Sequence, residues 1–127
     1  MKHLSYSIII LLIFISVWGV YVYFSHVSVS QLKNELREEV LVATQNEDWN
    51  EAKEEFKDFK EDWSKYRRIA HLFFNTEKIY QIDLTIASCE ASINAEHIEE
   101  AINDLAYLLQ YLSILHESED FSLANLF

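Results

Sequence analysis

The chain has 127 residues with one glycine and no proline, so the residues that build tight turns and hairpins are almost absent and an all-β fold is excluded. Its 21 acidic side chains against 10 basic ones give a formal charge of −11, which repels nucleic acid and anionic headgroups. A single cysteine excludes an internal disulfide or a thiolate zinc cluster within one chain, and what is left is an all-α protein.

From Leu4 to Phe24 the sequence reads LSYSIIILLIFISVWGVYVYF, 21 residues without a charge. At about 1.5 Å per residue such a helix covers roughly 30 Å, the thickness of a bilayer's hydrocarbon core. Tyr6 stands near one end of the run and Trp18, Tyr21 and Tyr23 near the other, where amphipathic rings favour the headgroup level. A cleavable secretory signal has a shorter apolar stretch followed by small residues, for which Ser28 and Ser30 are the candidates; the length of this run and its aromatic flanks favour an uncleaved anchor over residues 1–24. Lys2 on one side and Lys33 and Arg37 on the other leave little charge bias, and the expected orientation is amino terminus cytoplasmic, remainder extracytoplasmic, at the cell membrane. Ile15 and Tyr23 flank Gly19 at four-residue spacing, so glycine-mediated pairing of the anchor is not signalled.

Beyond the anchor, residues 25–127 carry nine basic against 21 acidic side chains, a formal charge of −12, on a segment long enough for one modest core. Val29, Leu32, Leu36, Val40 and Ala43 continue the anchor helix outward on one apolar face. From Trp49 the apolar positions are Trp49, Ala52, Phe56, Phe59, Trp63, Tyr66, Ala70 and Phe73, an unbroken alternation of three and four that packs helices at a shallow angle, as in coiled coils and four-helix bundles. The residues between them (Glu51, Lys53, Glu54, Glu55, Lys57, Asp58, Lys60, Glu61) read as a solvated face, with Lys53 and Lys57 each four residues from an acid. Asp48 followed by Glu51 is a variant capping box that starts this helix near Trp49.

The phase slips by two residues between Phe73 and Ile79, which places a turn near Asn75 with Asn75 or Thr76 as cap; one long helix with a stutter is the alternative. The rhythm resumes at Ile79, Ile82, Ile86, Cys89 and Ile93, turns at Asn94 and Ala95, and returns at Ile98, Ala101, Leu105, Leu108, Leu112 and Leu115, with Glu96, Glu99 and Glu100 favourably placed at a helix amino end. The expected architecture is an N-terminal transmembrane helix continuing into an up-down antiparallel bundle over residues 25–117. Residues 118–127 break the heptad but carry Phe121, Leu123, Leu126 and Phe127; the expectation is that this tail folds back over the open end of the bundle, the alternative that it offers an apolar peptide to a partner.

Three stretches, WNEAKEEFKDFKEDWSKY, EKIYQIDLTIASCEASI and LHESEDFSLANLF, behind a lone apolar amino-terminal segment, resemble domain-of-unknown-function family 4363, small single-pass membrane proteins of Gram-positive bacteria. The resemblance covers most of the chain and is one of helices and spacings rather than of a catalytic motif. It implies a membrane-bound helical type and no activity. Trp63, Asp83, His116, Ser122, Leu123 and Asn125 match family positions, whereas Phe74 and Asn75 stand where the family tends to place a His ahead of the Glu-x-x-x-x-Ile-Asp element.

The chemistry most natural to a helical bundle, a carboxylate-bridged metal pair, needs Glu-x-x-His on two helices. Only the reverse order occurs, as His97 with Glu100 and His116 with Glu119, near opposite ends of one helix, so both read as solvated helix ends. His71 beside Arg67 and Arg68 reads as a surface His, and Cys89, in a seam position, as an inert core thiol. No Gly-rich loop, nucleophile motif, haem-attachment motif or calcium loop is present, and no catalytic, cofactor or metal residue is expected. Asp83, between seam residue Ile82 and Leu84, is the most awkwardly placed acid, and its plain reading is a boundary position hydrogen-bonded to a neighbouring helix. The pattern points to a non-enzymatic interaction, scaffold or accessory protein docked on another membrane or envelope protein, with Trp63, Asp83, His116, Leu123 and Asn125 as candidate contact residues. A ligand- or ion-sensing bundle is the alternative, motivated by the −12 balance and the histidines of the last helix. Self-association is open.

Overall fold

A computed structural model describes residues 2–71 and 74–126, with the side chains of 21–28 and 119–126 outside the description. Lys2–Asn34 forms α1, Glu35–Val40 a π-helical turn and Leu41–Gln45 α2. Asn34, Val40 and Leu41 all keep right-handed helical backbone angles, so these three pieces are one continuous rod. Helices α3 (Trp49–Ala70), α4 (Thr76–Asn94) and α5 (Ile98–Leu126) follow, and no strand occurs among the described residues.

The heptad positions make the core. Val29, Leu32, Leu36, Val40 and Ala43 of the rod are buried, as are Ala52, Phe56, Phe59, Trp63, Tyr66 and Ala70 of α3, Ile79, Ile82, Ile86, Cys89 and Ile93 of α4, and Ala101, Leu105, Leu108, Leu112 and Leu115 of α5. Trp49 is half-buried against this core, and Phe73 lies outside the described residues. The rod packs on α3 and α5, and α4 on α3 and α5, which arranges the four segments as a square with up-down-up-down order. Phe56 and Phe59 stack at 5.8 Å between ring centroids, and Trp63 and Tyr66 meet at the same distance, tilted.

The helix ends are set locally. Asp48 Oδ1 accepts the Glu51 amide at 3.4 Å and Asn75 Oδ1 the Glu77 amide at 3.1 Å, each taking up a donor that the first turn of a helix leaves without an intrahelical partner. Asn75 has extended backbone angles (φ −60, ψ 128), so the chain turns there into two helices instead of running on as one. The other two turns share one design. Glu47 N–H donates to Thr44 O and Asp48 N–H to Ala43 O; 49 residues later Glu96 N–H donates to Ile93 O and His97 N–H to Ser92 O. This is the Schellman arrangement, whose left-handed residue is usually glycine. Here it is Glu47 (φ 56) and Glu96 (φ 58). Glu47→Gly is therefore expected to raise the unfolding free energy by up to about 1 kcal/mol, because glycine escapes the Cβ clash of that conformation. Glu96→Gly gains less, since it also removes the carboxylate that meets Lys53. A urea midpoint for Glu47→Gly at or below the parent value would contradict the strain argument.

The 49-residue offset extends into the core. Ala52, Phe56, Phe59, Trp63 and Tyr66 correspond to Ala101, Leu105, Leu108, Leu112 and Leu115, and Val40 to Cys89. Farther back the offset becomes 50, with Val29, Leu32 and Leu36 matching Ile79, Ile82 and Ile86. The first hairpin thus holds one extra residue between Leu36 and Val40, and there the helix widens to a π turn, the usual way a helix absorbs a single insertion. The bundle is two similar helical hairpins, rod–α3 and α4–α5, related by a pseudo-twofold along its axis.

One expectation fails at the carboxyl end. Of the tail 118–127, the described residues 118–126 do not fold back: α5 stays helical to Leu126. Ser118 Oγ donates to Ile114 O and accepts from Lys78 Nζ, both at 2.9 Å, so the helix is pinned to the foot of α4 where the heptad ends. With no glycine or proline after Ser118, nothing terminates it. The side chains of Phe121, Leu123 and Leu126, and Phe127 altogether, lie outside the described residues.

Candidate functional site

Two of the candidate residues from the sequence meet in the seam between α3 and α4. Trp63 Nε1 donates to Asp83 Oδ1 at 2.9 Å and Arg67 Nε donates to Asp83 Oδ2 at 2.8 Å, so both carboxylate oxygens are engaged by α3. Asp83 is thus a boundary acid hydrogen-bonded to a neighbouring helix. Farther along the seam Lys60 Nζ lies 2.7 Å from Glu90 Oε1 and Lys53 Nζ 3.2 Å from Glu96 Oε1. Lys53, Lys60 and Arg67 are spaced by seven, so they form one basic edge of α3 that faces Asp83 and Glu90 on antiparallel α4 and Glu96 in the turn after it. Lys53, expected to pair along its own helix, reaches across to Glu96 in the turn that follows α4 instead. Each pair is partly exposed and contributes at most about 1 kcal/mol, so the ladder sets register more than stability.

The opposite edge of α3 has the reverse character. Glu55, Asp58 and Asp62 face Glu35 and Glu39 of the π turn, and a shallow cleft there is lined by Gln31, Asn34, Glu35, Glu38, Glu39 and Asp62, with no basic residue among them. Burial raises Glu35 to about 7, helped by a hydrogen bond with Asp62 and the charges of Asp62, Glu39 and Asp58. A hydrogen bond with Glu39 raises Glu55 to about 7, with burial and the charges of Glu39, Asp58 and Glu51 adding to it. Like charges this close do not all ionise together, and a shared proton is the cheaper arrangement.

In the unfolded chain both groups titrate near 4.5, so the folded state holds their protons more tightly over the interval between. Their contribution to stability is fully present below about 4.5 and is lost as pH rises through about 7. The thermal midpoint is expected to fall between pH 5 and pH 8, and the Glu35→Gln, Glu55→Gln double variant to flatten that fall. A midpoint that rises over this window contradicts the assignment.

The other candidates stand apart. His116 is half-buried on α5, and the side chains of Ser122, Leu123 and Asn125 lie outside the described residues. His97 Nδ1 approaches Glu100 Oε2 at 3.4 Å with both side chains largely exposed, and His71 is exposed at the end of α3. Cys89 is fully buried, and burial together with the charge of Asp104 pushes its thiol up to about 12, which leaves it un-ionised at neutral pH. Among the described residues no group of three or more His, Cys, Asp and Glu side chains is arranged to hold a metal ion. Sequence reasoning missed the carboxylate cleft and the ladder. The seven-residue spacing of Lys53, Lys60 and Arg67 was the available signal for the ladder; the cleft joins Glu35 and Glu39 to residues about 20 positions away, which no local spacing reveals.

The chain belongs to the family described as Domain of unknown function (DUF4363), whose family model matches residues 20–126. The match takes in the later part of α1 and both hairpins. No curated protein and no solved structure matches the chain.

Proposed function

We propose, starting from membership of this family, that the chain is a single-pass membrane protein whose bundle is a non-catalytic interaction or accessory module, held outside the cytoplasm against another membrane or envelope protein. The observation that carries the reading is the rod. Lys2–Val20 is long and apolar enough to cross a bilayer and none of it is buried against the bundle, yet the same helix continues unbroken through the π turn to Gln45 as the bundle's first strut. A rigid junction of this kind holds whatever the bundle grips at a set height above the lipid. The polar side chains of the α3–α4 seam are spent on each other, as in a structural module.

The experiment is chemical cross-linking of the full chain in its own membranes, followed by solubilisation and affinity capture. The expected result is one recurrent membrane or envelope protein recovered with it; recovery of this chain alone counts against docking. A second reading, ion sensing, draws on the carboxylate cleft at Glu35, Glu39, Glu55, Asp58 and Asp62. Calorimetry of the full chain in micelles with Ca²⁺, Mg²⁺ and Mn²⁺ tests it, and absence of heat dismisses it.

A further inference from the structure

The register of the bundle fixes how far α5 reaches toward the membrane. Glu35 of the rod meets Asp62 of α3, and the pairs Lys60 with Glu90 and Arg67 with Asp83 set Asp62 level with about Ser88 of α4. Ser92 with Asp104 and Lys78 with Ser118 then set Ser88 level with about Leu108 of α5. Glu35 and Leu108 therefore stand at one height, on two helices that pack on each other and run in opposite directions. From Leu108, α5 continues 18 residues to Leu126, and 18 residues back from Glu35 on α1 is Val17. The π turn begins at Glu35 and lies on the far side of it, so both stretches are regular α-helix and each advances about 27 Å at 1.5 Å per residue. The end of α5 thus reaches the height of the outer part of the apolar run 4–24.

The two stretches of sequence change character independently at that height. In α1 the apolar run ends at Phe24. In α5 the charges at Glu117, Glu119 and Asp120 give way to seven uncharged residues, FSLANLF, and Asp120 is level with about Tyr23. Trp18, Tyr21 and Tyr23, the aromatic positions that favour the headgroup level, match the heights of about residues 125 to 120. Height also selects what surrounds the end of α5. Keeping residues 121–126 in water would require Val17 to Phe24 to leave the lipid with them, and the 13 residues that remain, 4–16, fall short of the roughly 17–25 that cross a bilayer.

We propose that residues 121–126 are a second membrane contact, sunk into the boundary between headgroups and acyl chains of the leaflet that faces the bundle. This inference rests on the single-pass reading above and adds a lipid-binding element to it. Counted from the height of Phe24, these residues lie about 3 to 10 Å inside the end of the run, a depth at which interfacial helices rest. Glu117, Glu119 and Asp120 stay on the wet side. Two turns of helix are far fewer than the roughly 20 residues of a span, so the contact steadies the tilt of the bundle over the membrane while α1 anchors it.

The test uses the full chain in phosphatidylcholine vesicles, in a Cys89→Ala background, with one environment-sensitive fluorophore attached at Leu123→Cys, Leu126→Cys, Gly19→Cys, Ile10→Cys or Tyr107→Cys. A Cβ at Gly19 meets nothing within 4 Å, and Ile10 and Tyr107 are exposed. Each variant is expected to keep a helical circular dichroism spectrum. Doxyl groups on the lipid acyl chains are expected to quench the labels at 123 and 126 and to place the label at 123 within about 5 Å of the depth of the label at 19, since Leu123 is level with about Val20. Aqueous iodide is expected to quench the label at 107 severalfold more than either. Labels at 123 and 126 that iodide reaches as readily as the one at 107, with the label at 10 still quenched from the lipid, overturn this inference and leave the span standing. Labels at 123 and 126 shielded from both quenchers overturn it in favour of protein packed on the end of α5. A label at 10 that is open to iodide removes the span, and this inference with it.

Discussion

Trp63→Ala is expected to lower the unfolding free energy by about 3–5 kcal/mol, the range for removing a large aromatic from a core. The ring is 4 % exposed, packs at 5.8 Å on Tyr66, and spends its one N–H on Asp83. Truncation opens a cavity in α3 and leaves Asp83 Oδ1 without its indole donor, although Arg67 still holds Oδ2. Domains of this size have only about 5–15 kcal/mol in hand, so the variant should populate unfolded chain at moderate temperature. Trp63→Phe separates the two losses: it keeps most of the apolar contact and gives up the hydrogen bond, for an expected cost of about 1–3 kcal/mol. Urea denaturation followed by circular dichroism measures both. A loss below about 1 kcal/mol for the alanine variant would contradict the packing seen at this position.

Deletion of residues 2–20 is expected to move the protein from the membrane pellet to the soluble fraction in alkaline carbonate, with the bundle still folded. Ile8 to Ile15, with Val17 and Val20, are ten strongly apolar residues exposed along this stretch. At about 0.3 to 0.6 kcal/mol each, they favour insertion by roughly 3 to 6 kcal/mol. The bundle does not depend on them, because residues 2–20 are all exposed and none of the span is buried against the other helices. Retention of the shortened chain in the pellet would move the membrane attachment elsewhere, and loss of its cooperative unfolding would show that the span supports the bundle.

The caps and the seam were legible because each depends on neighbours within one or two turns. Asp48 and Asn75 start their helices through a side chain that reaches two or three residues ahead, and the three-four spacing from Trp49 to Ala70 places all the apolar residues but exposed Ile69 on one stripe whatever the partner is. Asp83 could be recognised as a boundary acid from its position between Ile82 and Leu84, but its two donors could not be chosen. Arg67 and Trp63 lie 16 and 20 residues away, and only the antiparallel register of α3 against α4 brings them to it. The tail was misjudged for a related reason. The loss of the heptad at Ser118 ends burial, whereas a helix ends only when backbone bonding is interrupted, and none of the residues up to Leu126 interrupts it.

The amino-acid sequence by itself determined that this is an all-helical chain with one span-length apolar run, where its helices begin, and which stripe of each turns inward, since all three follow from hydrophobic period and local hydrogen bonding. The tertiary structure alone decided which charges face each other. Lys53, Lys60 and Arg67 find acids across one seam of α3, while Glu55, Asp58 and Asp62 find more carboxylates across the other. It also brought Thr85, Ser88, Asp104, Tyr107 and Tyr111 together along the equivalent seam at α4–α5. Those outcomes depend on the order in which four rods surround a common axis and on their relative height, and Coulomb energy falls with distance in space, not with separation along the chain.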